Sequence, residues 1–360
     1  MFSMRLSVVK AIVFSLYASI KLCSSEETVS LPKDVSIPAV IAFGDSFVDT
    51  GNNNHIKTLI KADFPPYGKD FMGGKPTGRF SNGKAIADIL AKALGVKESL
   101  PAYLDPSVQA KDLLSGVSFA SGGTGYDPLT PKISSVIPLS VQLDNFKQYI
   151  GELKRNIGEE AAQNLITNSV FLVVASTNDL VLNYFGVPVR RLEYDVPAYA
   201  NKLVKLASNF VQEIYNLGAR KIAVFSAPPV GCLPAVRTLA GGALRRCKDK
   251  ENKAAQLFNS MLEKQLQVLA SSLPESRVGF IDFYNPLISI IENPNQYGLE
   301  VIDKGCCGTG AIEVAVLCNK LSPTCYDDSK FLFWDSIHLS EEGSKIFVNH
   351  ILPDVVNSLF

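Results

Sequence analysis

The sequence predicts an α/β fold in three layers, with a five-stranded, mostly parallel sheet between helices. Three observations carry this. Five short apolar runs are spaced along the chain, amphipathic helical patterns separate them, and hydrophobic residues make up 47% of the 360 residues against 19% charged. Short, mostly apolar runs suit strands covered on both faces, and strand–helix alternation builds such sheets in parallel. The same composition excludes a mainly disordered chain.

The runs are 39–43, 116–120, 170–174, 221–225 and 278–282. Between and after them the spacing predicts helices. Segment 84–94 puts Ile86, Ile89, Leu90 and Ala93 on one face, and 203–217 does so with Leu203, Leu206, Phe210, Ile214 and Leu217 before Gly218. Helices are also predicted over 251–269 and 341–356, the latter with Pro353 near its end. Long loops fall at 51–81, 231–248 and 293–328. No fixed period repeats, and no low-complexity linker divides the chain.

The N-terminus has another character. Residues 1–25 hold Arg5, Lys10 and Lys21, no acidic residue, a short apolar stretch over 11–20, and small residues at 23–25. This pattern reads as a secretory signal peptide, too short in its apolar part to span a bilayer, although a buried N-terminal helix is the alternative. Cleavage after Ser25 leaves 26–360 as a single domain of an extracellular protein. Lys and Arg total 35 and Asp and Glu total 35; the leader removes three basic residues and no acidic one, so the mature chain carries −3. That balance argues against nucleic acid as a partner, because binding it needs a basic footprint.

Cys23 leaves with the leader, and Cys232, Cys247, Cys306, Cys307, Cys318 and Cys325 remain. In an oxidising compartment six cysteines suggest up to three disulfides, with connectivity open. Zinc is a weaker option, since no C-x-x-C occurs and His55, His338 and His350 are far apart in sequence.

Active sites of such folds lie beyond the carboxyl ends of the strands. After the first run stands Gly44-Asp45-Ser46-Phe47-Val48-Asp49-Thr50-Gly51. Ser46 there is either an exposed nucleophile with its own N–H facing the substrate or a helix N-cap. After the second run, Ser121-Gly122-Gly123-Thr124-Gly125 lets backbone approach a ligand closely; it lacks the Walker lysine and the G-x-G-x-x-G spacing of a phosphate cradle. After the third, Ser176-Thr177-Asn178-Asp179 offers an amide donor or an Asx turn. Near the C-terminus, Trp334-Asp335-Ser336-Ile337-His338 spaces a carboxylate so that it can hold an imidazole. His55 and His350 lack such a neighbour.

Taken in order, these segments resemble the GDSL, or SGNH-hydrolase, family of esterases and lipases, and most closely in look its plant secreted branch with the extracellular-lipase group. Phe64-Pro65-Pro66-Tyr67-Gly68, Pro76-Thr77-Gly78-Arg79-Phe80-Ser81-Asn82-Gly83, Pro228-Pro229-Val230-Gly231-Cys232-Leu233-Pro234 and Lys304-Gly305-Cys306-Cys307-Gly308-Thr309-Gly310 extend the resemblance over essentially the whole mature chain. It implies a flavodoxin-like three-layer fold and a carboxylic ester or lipid substrate, with no cofactor, metal or transmembrane anchor. Ser46 matches the nucleophile, His338 the general base and Asp335 the acid that orients it. The N–H groups of Ser46 and Gly123 and the amide of Asn178 match the oxyanion hole.

Two positions depart from the family pattern: Ser118 stands for its asparagine and Ser176 for its glycine. Ser176 threatens the aim of Asn178, because serine tolerates fewer backbone conformations than glycine. Phe64, Tyr67, Phe71, Tyr184 and Phe185 are candidates for an acyl-chain site, or for loop and core packing. The same site would serve an acyltransferase or a polysaccharide deacetylase. A binding or structural protein that has lost activity is the reading from another class, and it rests on Ser118 and Ser176.

Overall fold

A computed structural model describes residues 35–242, 244–309 and 317–360; the signal-peptide expectation for 1–25, including Cys23, lies outside them. Four strands form one parallel sheet in the order β1 (Val40–Gly44), β2 (Val170–Val174), β3 (Lys221–Phe225) and β4 (Arg277–Ile281). β1 and β2 are buried at every residue, as their uninterrupted apolar runs require.

Helices cover the sheet. α1 (Ile86–Ala93) and α5 (Glu341–Leu359) pack together, and α5 lies against β3 and β4. α2 (Leu139–Ile157), α3 (Val196–Asn216) and α4 (Asp249–Ser272) form a second group, with α2 against β1 and α4 against β4. Local chemistry sets several ends: Asp195 caps α3 by accepting from Ala198 N–H at 2.8 Å, and Ser340 caps α5 by accepting from Gly343 N–H at 2.9 Å. α5 runs on through Pro353 to Leu359. α2 is a helix the apolar spacing had not singled out.

The expected fifth strand is replaced. Segment 116–120 runs alongside β1 and joins it by Ala42 N–H to Val117 carbonyl (3.1 Å) and Phe119 N–H to Ala42 carbonyl (2.8 Å), but it forms only isolated bridges. Gly116 sits at φ 92°, where a Cβ would lie 1.9 Å from the Val40 carbonyl oxygen. On the side away from β1, Ser118 N–H donates to the Pro101 carbonyl and the Ser118 carbonyl accepts from Tyr103 N–H, both at 2.9 Å. A second, two-stranded parallel sheet, β5 (Val301–Gly305) with β6 (Phe331–Phe333), forms inside and just after the stretch expected to be loop over 293–328.

The six cysteines form three pairs: Cys232–Cys247, Cys306–Cys325 and Cys307–Cys318. The last two close loops around β5. Among the described residues no helix is long and apolar enough to cross a membrane.

Candidate active site

Ser46 follows β1 directly. Gly44 makes this approach feasible: at φ 130° its Cβ would lie 1.8 Å from the Val174 carbonyl oxygen, so only glycine fits beside β2. Gln142 of α2 reaches back to the same residue, accepting from Gly44 N–H and donating to Gly44 carbonyl, both at 2.9 Å. Asp45, behind the serine, is fully buried; its Oδ1 accepts from Phe47 N–H, and burial raises its carboxyl to about 8.

Asp335 and His338 stand on a tight turn after β6. Trp334 N–H donates to the His338 carbonyl at 2.8 Å and closes the turn. Cys306 and Cys307 donate to the Phe333 and Trp334 carbonyls at 3.0 and 2.7 Å, tying the turn to the disulfide-linked segment. Gly305 passes so close that a Cβ would meet Asp335 backbone at 2.7–2.8 Å. The turn thus arrives beside Ser46 from 292 residues along the chain.

The three side chains meet. His338 Nδ1 lies 2.9 and 2.8 Å from the two carboxylate oxygens of Asp335, so it carries a hydrogen, and Nε2 accepts from the Ser46 hydroxyl at 2.6 Å. Asp335 Oδ1 also accepts from the N–H groups of Ile337 and His338, both at 2.8 Å, and Oδ2 from the Tyr67 hydroxyl at 2.8 Å. Burial opposes ionisation of Asp335, but the facing His338 and the N–H groups of His338 and Ile337 outweigh it and hold the carboxyl below its ordinary value. Phe80 and Phe47 flank the imidazole, with ring centroids 5.0 and 5.8 Å away.

The glycine loop is fixed against Ser46 by buried polar side chains. Ser121 N–H donates to Gly44 carbonyl at 2.9 Å. Asp49 accepts from the N–H groups of Gly51, Asn52 and Gly122 at 2.8–2.9 Å; burial lifts its carboxyl to about 6 against the pull of those bonds. The Asn52 amide donates to the carbonyls of Ser118 and Ala120, and the Asn53 amide to that of Gly122. The N–H of Gly122 is therefore taken, whereas those of Gly123 and Ser46 find no acceptor among the described residues. Gly123 itself sits at φ 92°.

Asn178 follows β2, and its Nδ2 donates to Thr124 carbonyl at 2.9 Å, leaving its second hydrogen free. Its neighbour Asp179 opens a π-helix, Asp179–Gly186, and accepts from the N–H groups of Tyr126 and Asp127 and from Thr130. Both departures from the family pattern are absorbed. The Ser118 hydroxyl donates to Val48 carbonyl at 2.7 Å, and Ser176 does not have the positive φ that would demand glycine.

The aromatic residues proposed for an acyl site mostly have structural partners. Phe64 and Tyr67 belong to an apolar cluster with Phe80, Trp334 and four cysteines. Phe71 lies under the Arg79 guanidinium, and Tyr184 stacks on Tyr199. Phe185 lies near Lys250. His55 is exposed, and His350 packs against Tyr297. Among the described residues no group of three or more His, Cys, Asp or Glu is arranged to hold a metal ion. Sequence reasoning missed Gln142, Asp49, Asn52, Asn53 and Asp179 as residues that shape the site.

A family model described as GDSL-like lipase/acylhydrolase matches residues 40–351. The chain belongs to this family. Its relatives include two Arabidopsis thaliana proteins. GDSL esterase/lipase At5g42170 is 51% identical over 333 residues, spanning 92% of this chain and 89% of its own. GDSL esterase/lipase EXL3 is 52% identical over 330 residues, spanning 91% and 90%. Membership makes this GDSL protein a carboxylic ester hydrolase acting on small-molecule esters.

Proposed function

We propose that this GDSL hydrolase is an exported serine esterase or lipase working through Ser46, His338 and Asp335. The observation that carries the reading is the 2.6 Å approach of His338 Nε2 to the Ser46 hydroxyl, with Asp335 on the far side of the ring. His338 takes the serine proton as Oγ attacks the ester carbonyl. The oxyanion is held by the N–H groups of Ser46 and Gly123 and by the Asn178 amide. His338 then protonates the departing alcohol, and water releases the acyl group by the same steps. A carboxyl kept ionised by its surroundings suits Asp335 to hold the imidazole through both steps.

Residues 1–25 act as the export leader and 26–360 as the single hydrolase domain. Three disulfides support that route, since such bonds persist in oxidising compartments. The test is an ester-library assay on the mature protein, including short-chain p-nitrophenyl esters. Ser46→Ala lowers kcat about a thousandfold or more; turnover retained in that variant would refute the nucleophile. N-terminal sequencing of the exported protein locates the cleavage point.

A further inference from the structure

We infer that Tyr67 is a positioning residue for catalysis: the hydrogen bond from its hydroxyl to Asp335 Oδ2 sets the orientation and basicity of the carboxylate that holds His338. The inference rests on the triad proposed above and goes beyond it.

The Tyr67 ring is 4% exposed and sits among Phe64, Phe80 and Trp334, with centroids 5.4, 6.3 and 6.4 Å away. The Cys306–Cys325 and Cys307–Cys318 bridges pack in the same cluster. A phenylalanine would satisfy these neighbours. The hydroxyl is surplus to packing, and burying one without a partner is costly. Its acceptor is the Asp335 carboxylate, 268 residues away, at 2.8 Å.

That bond completes the carboxylate's hydrogen bonding. Oδ1 accepts from two backbone N–H groups of its own turn and shares His338 Nδ1 with Oδ2, and Oδ2 has the Tyr67 hydroxyl as its other partner. Among the described residues Tyr67 is the side-chain donor to Asp335 other than His338. Without it Oδ2 is held on one side only, and the carboxylate is freer to turn about its Cβ–Cγ bond. A carboxylate relieved of one donor is also more basic and holds a protonated imidazole more strongly.

Few other charges complicate the pair. The ring faces of His338 meet Phe47 and Phe80. Lys69, two residues beyond Tyr67, lies 5.9 Å from the Trp334 ring and pairs with Asp328 and Asp70. The charge acting on Asp335 is that of His338, while burial and the Asp335 charge together hold the Tyr67 phenol well above its ordinary range, so it stays a donor.

The experiment measures kcat, KM and the pH profile of kcat/KM for wild type, Tyr67→Phe, Tyr149→Phe and Ser46→Ala. Tyr149 is the control: its buried hydroxyl donates to Leu113 carbonyl at 2.6 Å, outside the triad. Tyr67→Phe lowers kcat about 10-fold, as removal of one hydrogen bond to a charged group predicts. KM stays within about twofold, and the acid limb of kcat/KM moves to higher pH by about half a unit. Tyr149→Phe leaves the limb in place. If Tyr67→Phe does not fold, 3-fluorotyrosine at position 67 keeps the shape while strengthening the donor, and the limb moves to lower pH. Superimposable profiles for wild type and Tyr67→Phe, or an unmoved limb with fluorotyrosine, overturn the inference. An active Ser46→Ala would instead overturn the triad itself; an inactive Ser46→Ala beside an unaffected Tyr67→Phe removes the role of Tyr67 alone.

Discussion

Ser46 and the glycine loop stand at the end of the regular sheet and are locked by buried side chains that hydrogen-bond to backbone: Gln142 on Gly44, Asp49 on Gly122, and Asn52 and Asn53 on the carbonyls of 118–122. Asp335 and His338 stand outside that sheet, on a turn clamped by β5, two disulfides and an apolar aromatic cluster. One half is held by polar bonds, each strong because it is buried. The other is held by covalent links and apolar packing. Among the described residues the 2.6 Å hydrogen bond between Ser46 and His338 joins them, with Phe47 packed beside the imidazole. The halves should therefore fail in different ways.

The largest expected effect falls on the polar half. Asn178→Ala removes one of the proposed oxyanion donors, worth about 2.7–4 kcal/mol, so kcat falls roughly 100- to 1,000-fold with KM little changed. Steady-state kinetics on one ester checks this; a change confined to KM would remove Asn178 from the proposed chemistry. Next comes the covalent half. Replacing Cys307 and Cys318 together with Ser opens a loop of 11 residues in sequence separation and costs about 2–4 kcal/mol. The loss should appear first as falling esterase activity while far-UV circular dichroism stays near native, because the four-stranded sheet does not depend on that bridge. Full activity with the bridge shown open would break the comparison.

A smaller effect is expected at Gln142. Gln142→Ala leaves the Gly44 N–H without its acceptor, while the Gly44 carbonyl keeps the Ser121 N–H, and costs about 1–3 kcal/mol in denaturant unfolding, with resistance to reductant unchanged. The last is a pH effect, read as a slope across pH and not at one pH. Asp45 has a folded-state value near 8, far above the unfolded one, so the folded protein keeps a proton that the unfolded chain releases. Its contribution is fully present below the unfolded value and is lost as pH rises towards 8. Asp45→Asn lacks this loss, so the variant should gain on wild type in thermal stability from pH 4 to 8. A constant difference across that range would contradict the assignment.

The comparison also explains what could be read in advance. β1 and β2 were legible because a strand buried on both faces leaves an uninterrupted apolar run, and β3 and β4 because theirs is broken only at the first residue, Lys221 and Arg277. That Ser46, Asp335 and His338 would stand together was legible because their motifs are local and resemble a known family. The edge segment 116–120 was not: its run is mostly apolar like the others, yet it forms only isolated bridges beside β1. Gln142 was hidden because its partner is backbone 98 residues away. Tyr67 was grouped with apolar candidates by its ring, while the hydroxyl that distinguishes it answers to Asp335 across the fold. Side chains that lock one loop to another carry their meaning in the partner, and the linear sequence does not display it.

The central claim is that His338, held by Asp335, activates Ser46. A fluorophosphonate probe reacts with an activated serine, so mass spectrometry of the labelled protein tests the claim most directly. The adduct should map to Ser46 in wild type and disappear in His338→Ala, with circular dichroism unchanged. An adduct on another residue, or undiminished labelling of Ser46 without His338, would contradict it.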